Sequence, residues 1–295
     1  MCKAFSFYHL FNLNFKKMKS FKLILSILFF SVVITSCKKK TIDPVPTPTP
    51  TPDPYAAYVK VGETFIIGAK AKAVVYSTHA LHTGYNNIFV VFYDSADGSK
   101  LSSGHMSITP MMDMGTMQHS APVENFTDSL PSGGMFRSNV VYSMPGTASE
   151  WSLQIAFHNH KNDLEGTGKL GTAVANLTPA RLISTTIAAD SNAKVFISWI
   201  APDTAKVGIN NFEIVLHQKA SMMSFPPIEN YTIAIEPFMP SMGHGSPNNV
   251  NPVHTGNGHY TGKVNFTMNG LWQVKLKLYK NGTLLTDSLY FETTL

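Results

Sequence analysis

Cysteine is almost absent from this 295-residue chain, which holds only Cys2 and Cys37. Nothing after residue 37 can form a disulfide, a thiolate zinc site or a cysteine nucleophile. Stability must come from burial, which about 240 residues rich in aromatic and branched side chains can supply. Excess charge is missing too, once its position is considered. The formal net charge is +5. Five of the 23 basic residues (Lys3, Lys16, Lys17, Lys19, Lys22) precede Cys37, however, and no acidic residue does. The chain beyond Cys37 balances at 18 basic against 18 acidic groups, so no basic surface argues for nucleic acid as a partner. The apolar run Leu23 to Ile34 falls short of the roughly twenty residues that span a bilayer. No segment keeps a helical period. G-x-S-x-G, P-loop and H-E-x-x-H signatures are lacking, and the chain is read as a non-enzyme.

What is present begins at Met18: MKSFKLILSILFFSVVITSC, with Lys19 and Lys22, an apolar core and small residues before Cys37. These are the parts of a signal peptide. Ile34-Thr35-Ser36-Cys37 resembles the lipobox of bacterial lipoproteins. The resemblance implies cleavage before Cys37, lipidation of its thiol, and membrane lipid as a partner through the acyl chains. An ordinary signal peptide with an incidental cysteine is the alternative. Residues 1–37 are thus expected to be leader and signal peptide, with Met18 as the true start. Lys38-Lys39-Lys40 would add some attraction to anionic headgroups. The alternating prolines of Asp43 to Pro54 make residues 38–54 an extended tether. The expected location is the cell envelope, and by analogy (Lys38 comes directly after the cysteine, with no aspartate there) the outer membrane.

The globular part repeats. Gly84-Tyr-Asn-Asn matches Gly208-Ile-Asn-Asn, Met114–Pro122 matches Met239–Pro247, Gly134–Gly146 matches Gly258–Gly270, and Trp151–Phe157 matches Trp272–Leu278. The offsets are 124, 125, 124 and 121 residues. Two related domains are expected, 55–178 and 179–295. Trp272, Val274, Leu276 and Leu278 alternate with polar residues, as do Val264, Phe266 and Met268, and Val140, Tyr142 and Met144, a strand period with one buried face. Asn269-Gly270 and Pro145-Gly146 supply turns. Further strands are expected at 65–69, 73–76, 88–93, 195–199, 212–216, 231–235 and 284–291. The fold class is all-β, two tandem immunoglobulin-like β-sandwich domains, with Trp151 and Trp272 in the cores.

Each copy carries one Met-x-x-Met-x-His: Met114, Met117, His119 and Met239, Met242, His244. Each comes after a strand expected to end at proline (Pro110, Pro237) and lies on a polar connector, a poor place for methionine as core filler. Thioethers are soft, neutral donors that favour Cu(I), and imidazole binds either copper state. Such ligands survive where free thiols would be oxidised. Met111, Met112 and His105 in the first copy, and His254 and His259 in the second, are further donors. Copper is the expected cofactor, bound for handling or delivery, with affinity falling in acid because imidazolium cannot ligate. The alternative is that the motifs only pack their loops, in a structural, accessory or ligand-binding lipoprotein without a metal site. A sugar-binding module would need clustered aromatics, which Tyr85, Tyr93 and Phe225 do not obviously supply. His79, His82, His158 and His160 are read as solvated or backbone-bonded before being read as a zinc site, and Asp94, Asp97 and Gly98 as a turn.

The block MPSMGH (239–244), with G-H-Y-x-G-K-V-x-F-x-M-x-G-x-W (258–272) after it, resembles the YtkA-like and FixH-like envelope domains. The likeness covers most of 208–280 and more loosely 84–157, where Met135-Phe136 replaces His259-Tyr260 and Thr147–Glu150 are extra. It implies an immunoglobulin-like sandwich in the envelope. Some members occur in a context of copper handling or cytochrome oxidase assembly, so a copper-handling or outer-membrane protein is an expected partner.

Overall fold

A computed structural model describes residues 53–127 and 133–295. Cys37, the leader and the tether to residue 52 lie outside the described residues, as do 128–132. The first half folds as β1 (Val59–Ile66), β2 (Ala71–Ser77), β3 (Gly84–Asp94), β4 (Gly104–Asp113), β5 (Gln118–Ser120), β6 (Val123–Asn125), β7 (Phe136–Tyr142), β8 (Trp151–Asn159) and β9 (Leu164–Gly171). The second half gives β10 (Leu182–Ile187), β11 (Ala193–Ala201), β12 (Gly208–Gln218), β13 (Tyr231–Met239), β14 (His244–Gly245), β15 (Val250–Gly256), β16 (His259–Phe266), β17 (Leu271–Lys280) and β18 (Thr283–Thr294). A single 3-10 turn, Ala188–Asp190, is the only helical element among the described residues. None of their helices is long and apolar enough to cross a membrane.

Sheet orders are β1-β2-β3-β7-β6 and β5-β4-β8-β9 in the first half, and β10-β11-β12-β16-β15 and β14-β13-β17-β18 in the second. The two halves are the same drawing made twice. In each, two antiparallel sheets face one another across one core, an immunoglobulin-like sandwich. Ile88, Val90 and Phe92 of β3 meet Leu153, Ile155 and Phe157 of β8 in the first core. Ile214 and Leu216 of β12 meet Val274, Leu276 and Leu278 of β17 in the second. Trp151 and Trp272 are fully buried, as their strand pattern requires.

Two expectations about strands need correction. The segment 65–69 is strand only at Phe65 and Ile66: β1 stops there, and the N–H groups of Ala69 and Lys70 turn back to the carbonyls of Ile66 and Ile67. Gly68 permits this turn to press on β9, since a Cβ there would lie 2.5 Å from the Glu165 carbonyl oxygen. Nor do β4 and β13 end at their prolines. Pro110 pairs with Leu153, Pro237 with Val274, and both strands run on. The Pro110 carbonyl accepts from the Ser120 hydroxyl at 2.8 Å, toward β5. An antiparallel residue directs N–H and C=O to the same side, so the missing N–H costs no rung to β8.

The two sandwiches touch directly. A Cβ on Gly84 would stand 3.0 Å from the Arg181 carbonyl oxygen. The Ser120 N–H donates to the Met222 carbonyl at 2.8 Å, and Glu124 of β6 binds His259 of β16.

Candidate functional site

The loops between β4 and β5 and between β13 and β14 carry the Met–His motifs. In the first, Met112 pairs with His119 across the hairpin and with Trp151 on the other side. In the second, Met239 pairs with His244. The Met239 methyl would meet a Cβ on Gly270 at 3.1 Å, and the Met112 methyl one on Gly146 at 3.2 Å. Met112 is therefore the spatial counterpart of Met239, although the sequence motif pairs Met114 with it. The first loop is two residues longer, and an alignment anchored on the histidine slips by that amount.

The methionines divide into two layers. Met112 and Met239 are sunk, at 4% and 2% exposure, so Met239 does not lie on the open loop as its motif suggested. Met114, Met117 and Met242 stand out at 50%, 43% and 62%. Gly115 and Gly243, at φ 81° and 65°, turn the two tips. Met111, one residue before Met112, occupies the opposite, outer face of β4 and is half-buried.

Both histidines are set in the same way. The ring of His119 stands edge-on to Trp151 with centroids 5.6 Å apart, and that of His244 to Trp272 at 5.7 Å. Each tryptophan is pinned by its indole N–H, to the Met144 carbonyl at 3.1 Å and the Met268 carbonyl at 3.0 Å. His119 Nδ1 lies 2.7 Å from the Ser120 carbonyl, and His244 Nδ1 2.8 Å from that of Gly245. A carbonyl only accepts, so Nδ1 carries a proton, and in the neutral ring Nε2 is the nitrogen with the lone pair. His119 Nε2 is buried with no hydrogen-bond partner among the described residues. An unmet buried polar group costs about 1–3 kcal/mol.

The motif missed one pair. The hydrogen bond from Ser120 to Met222 brings the exposed Met222-Met223 of the second sandwich alongside the residue next to His119. Adjacent methionines were visible in the sequence, but they have no counterpart in the other repeat and so fell outside the motif.

The remaining expected donors are elsewhere. His105 sits toward the start of β4, seven residues from Met112. His254 of β15 leans on Tyr260, with Glu229 at 3.7 Å. His259 has both nitrogens occupied: Nε2 by Glu124 and Nδ1 by Glu213, each at 2.7 Å. Burial lowers its pKa, but the two carboxylates outweigh that and raise it to about 9. It is a cation at neutral pH, not a free ligand. Burial raises the Glu124 carboxyl, and the hydrogen bonds from His259, Asn139 and Tyr85 bring it below the usual range. Nearby His217 is held neutral, its pKa lowered by burial to about 4. His79 faces Asp203 at 3.3 Å, and His82 Nδ1 meets the Thr83 carbonyl at 2.9 Å. Among the described residues no three His, Cys, Asp or Glu side chains stand in metal-holding geometry; methionine sulfurs are a separate donor class.

No curated protein matches the chain in sequence. Among solved structures it is similar to the Escherichia coli adhesin FdeC, at 15% identity over 78% of this chain and 65% of that one, with a TM-score of 0.25. The Yersinia pseudotuberculosis adhesin InvE matches at 9% identity over 73% and 55%, with a TM-score of 0.23. Domains 5-6 of the S-layer protein SbsC match at 15% over 74% and 94%, with a TM-score of 0.25. The chain thus spans less than two thirds of either adhesin chain. Residues 188–277, from the 3-10 turn through most of β17, match the YtkA-like family model.

Proposed function

We propose that this is an envelope accessory lipoprotein, anchored through acylated Cys37 by way of the 38–54 tether, whose two Met–His loops bind Cu(I) for handling or delivery. The domain division at 55–178 and 179–295, an outer-membrane location and a copper-handling partner belong to the same reading. The YtkA-like match of the second sandwich supports an envelope accessory role. One observation carries the metal: His119 presents a buried Nε2 with no partner among the described residues, on a hairpin whose Met114 and Met117 side chains are exposed. Thioethers and a neutral imidazole form an uncharged, soft donor set, which suits Cu(I) over Zn(II), Mg(II) or Ca(II). The chain's own part is to fix the imidazole tautomer through the Ser120 carbonyl and to hold the ring against Trp151. Copper, when bound, supplies a soft cation for transfer.

The burial of Met112 and Met239 against Gly146 and Gly270 favours a second reading, in which the loops cap the sandwiches and the protein docks a partner without metal. Cu(I) titration of the full chain against a competing chelator separates them. Two equivalents are expected in the wild type, with both lost or weakened at least tenfold in M114A/M117A/M242A combined with H119Q/H244Q. Equal binding by wild type and variant removes the copper reading.

A further inference from the structure

Toward the end of β4 remote from its Met–His loop, three imidazoles stand together on the outer face of the β5-β4-β8-β9 sheet. Strand geometry puts them there. His105 lies directly opposite His158 in the β4–β8 ladder, and Glu165 of β9 lies opposite His158 on its other side. Partners across a ladder share a face, so the three form a row over three strands. His160 follows in the turn just after β8, and its ring reaches back beside the other two. The intervening Met106 and Phe157 point into the core.

Ring centroids are 4.7 Å apart for His105 and His160, 5.2 Å for His158 and His160, and 6.2 Å for His105 and His158. Three imidazoles on one tetrahedral ion, with metal–nitrogen bonds of about 2.0–2.1 Å, place their centroids roughly 5 Å apart. The backbone already holds the rings at that spacing. Two of them also have an outer partner. Asp163 Oδ1 accepts from His158 Nε2 at 2.9 Å, leaving Nδ1 free, and Ser103 Oγ lies 2.7 Å from His160 Nδ1, leaving Nε2 free. Oxygen partners on the far nitrogen are what orient metal-binding histidines and raise their basicity. Asp163 is itself fixed by a turn, with φ 55° and its N–H on the Asn159 carbonyl at 2.9 Å. As the rings stand their free nitrogens do not converge. Histidine's outer torsion is broad and two-fold, and His105 and His160 are exposed, so binding would turn these two rings, His160 at the expense of its Ser103 contact, while His158 keeps Asp163.

We infer that His105, His158 and His160 form a surface site for a borderline divalent transition ion of the Zn(II) or Cu(II) kind, with Glu165 offsetting its charge. Imidazole and carboxylate suit such an ion, whereas the thioether loops suit a soft monovalent one. The two sites stand some seven residues apart along one strand and do not depend on each other.

The test is Zn(II) titration of the full chain against a chromogenic chelator. One equivalent is expected, weakened at least tenfold by each of H105A, H158A and H160A. Loss of the outer carboxylate in D163N should weaken it about 10- to 100-fold. These residues lie on the sheet surface, and unchanged metal-free thermal unfolding confirms that the variants fold. Zn(II) bound equally by the triple variant, or no Zn(II) bound by the wild type at saturating metal, overturns the site. Cu(I) binding by the triple variant and Zn(II) binding by M114A/M117A/M242A are measured in parallel, so this site and the loop reading fail separately.

Discussion

Two methionines of one motif do opposite jobs. Met239 fills the second core beneath its loop at 2% exposure, while Met242, three residues on, stands 62% exposed. Truncating a buried methionine removes apolar contact and leaves a cavity, costing about 2–5 kcal/mol. Truncating an exposed one falls within about 0.5 kcal/mol of neutral. Met239→Ala and Met112→Ala should therefore lower the unfolding midpoint sharply in denaturant titrations, and Met242→Ala and Met117→Ala hardly at all. Equal costs for the two classes would mean that the loop tips are packed structure and not free donors.

The strands show how far residue patterns carry. The alternation in Trp272 to Leu278 marked the buried face of β17 correctly, because period two has one physical meaning when one side is apolar. The same rule failed at 67–69, where Ile67 is 84% exposed on a turn; apolar residues near a glycine do not announce which backbone the glycine must approach. Proline at 110 and 237 looked like a strand end, because sequence alone does not say which side of a strand lacks a neighbour. The site was legible in residue type but not in depth. Both histidines sit on the hairpins, yet the repeat alignment placed Met114 where Met112 belongs, since a two-residue loop difference is invisible until the strands are paired. The row His105, His158, Glu165 depends on three-strand register and could not be read from spacing at all.

The two sandwiches are joined by a half-buried ion relay: Glu124 of the first and Glu213 of the second share His259. His259 is raised from 6.5 to about 9, so the folded protein holds a proton there that the unfolded chain releases. Its contribution is complete below about 6.5, declines as pH rises, and is gone above about 9. Glu124 is shifted down, so its own contribution is present above the ordinary carboxylate range and is lost as pH falls through its lowered pKa. The thermal unfolding midpoint should accordingly drop between about pH 6.5 and 9.5, at roughly 2–4 °C per kcal/mol lost, and His259→Gln should flatten that limb. A variant as pH-sensitive as the wild type would show that the relay does not hold the sandwiches.

The proposed copper reading requires sulfur and imidazole to share one ion at each hairpin. X-ray absorption at the copper edge of the Cu(I)-loaded full chain reads that directly. Sulfur scatterers together with imidazole nitrogen around each copper, lost in M114A/M117A/M242A, are the expected result. A copper shell of nitrogen and oxygen alone, or a spectrum indifferent to those substitutions, would contradict it.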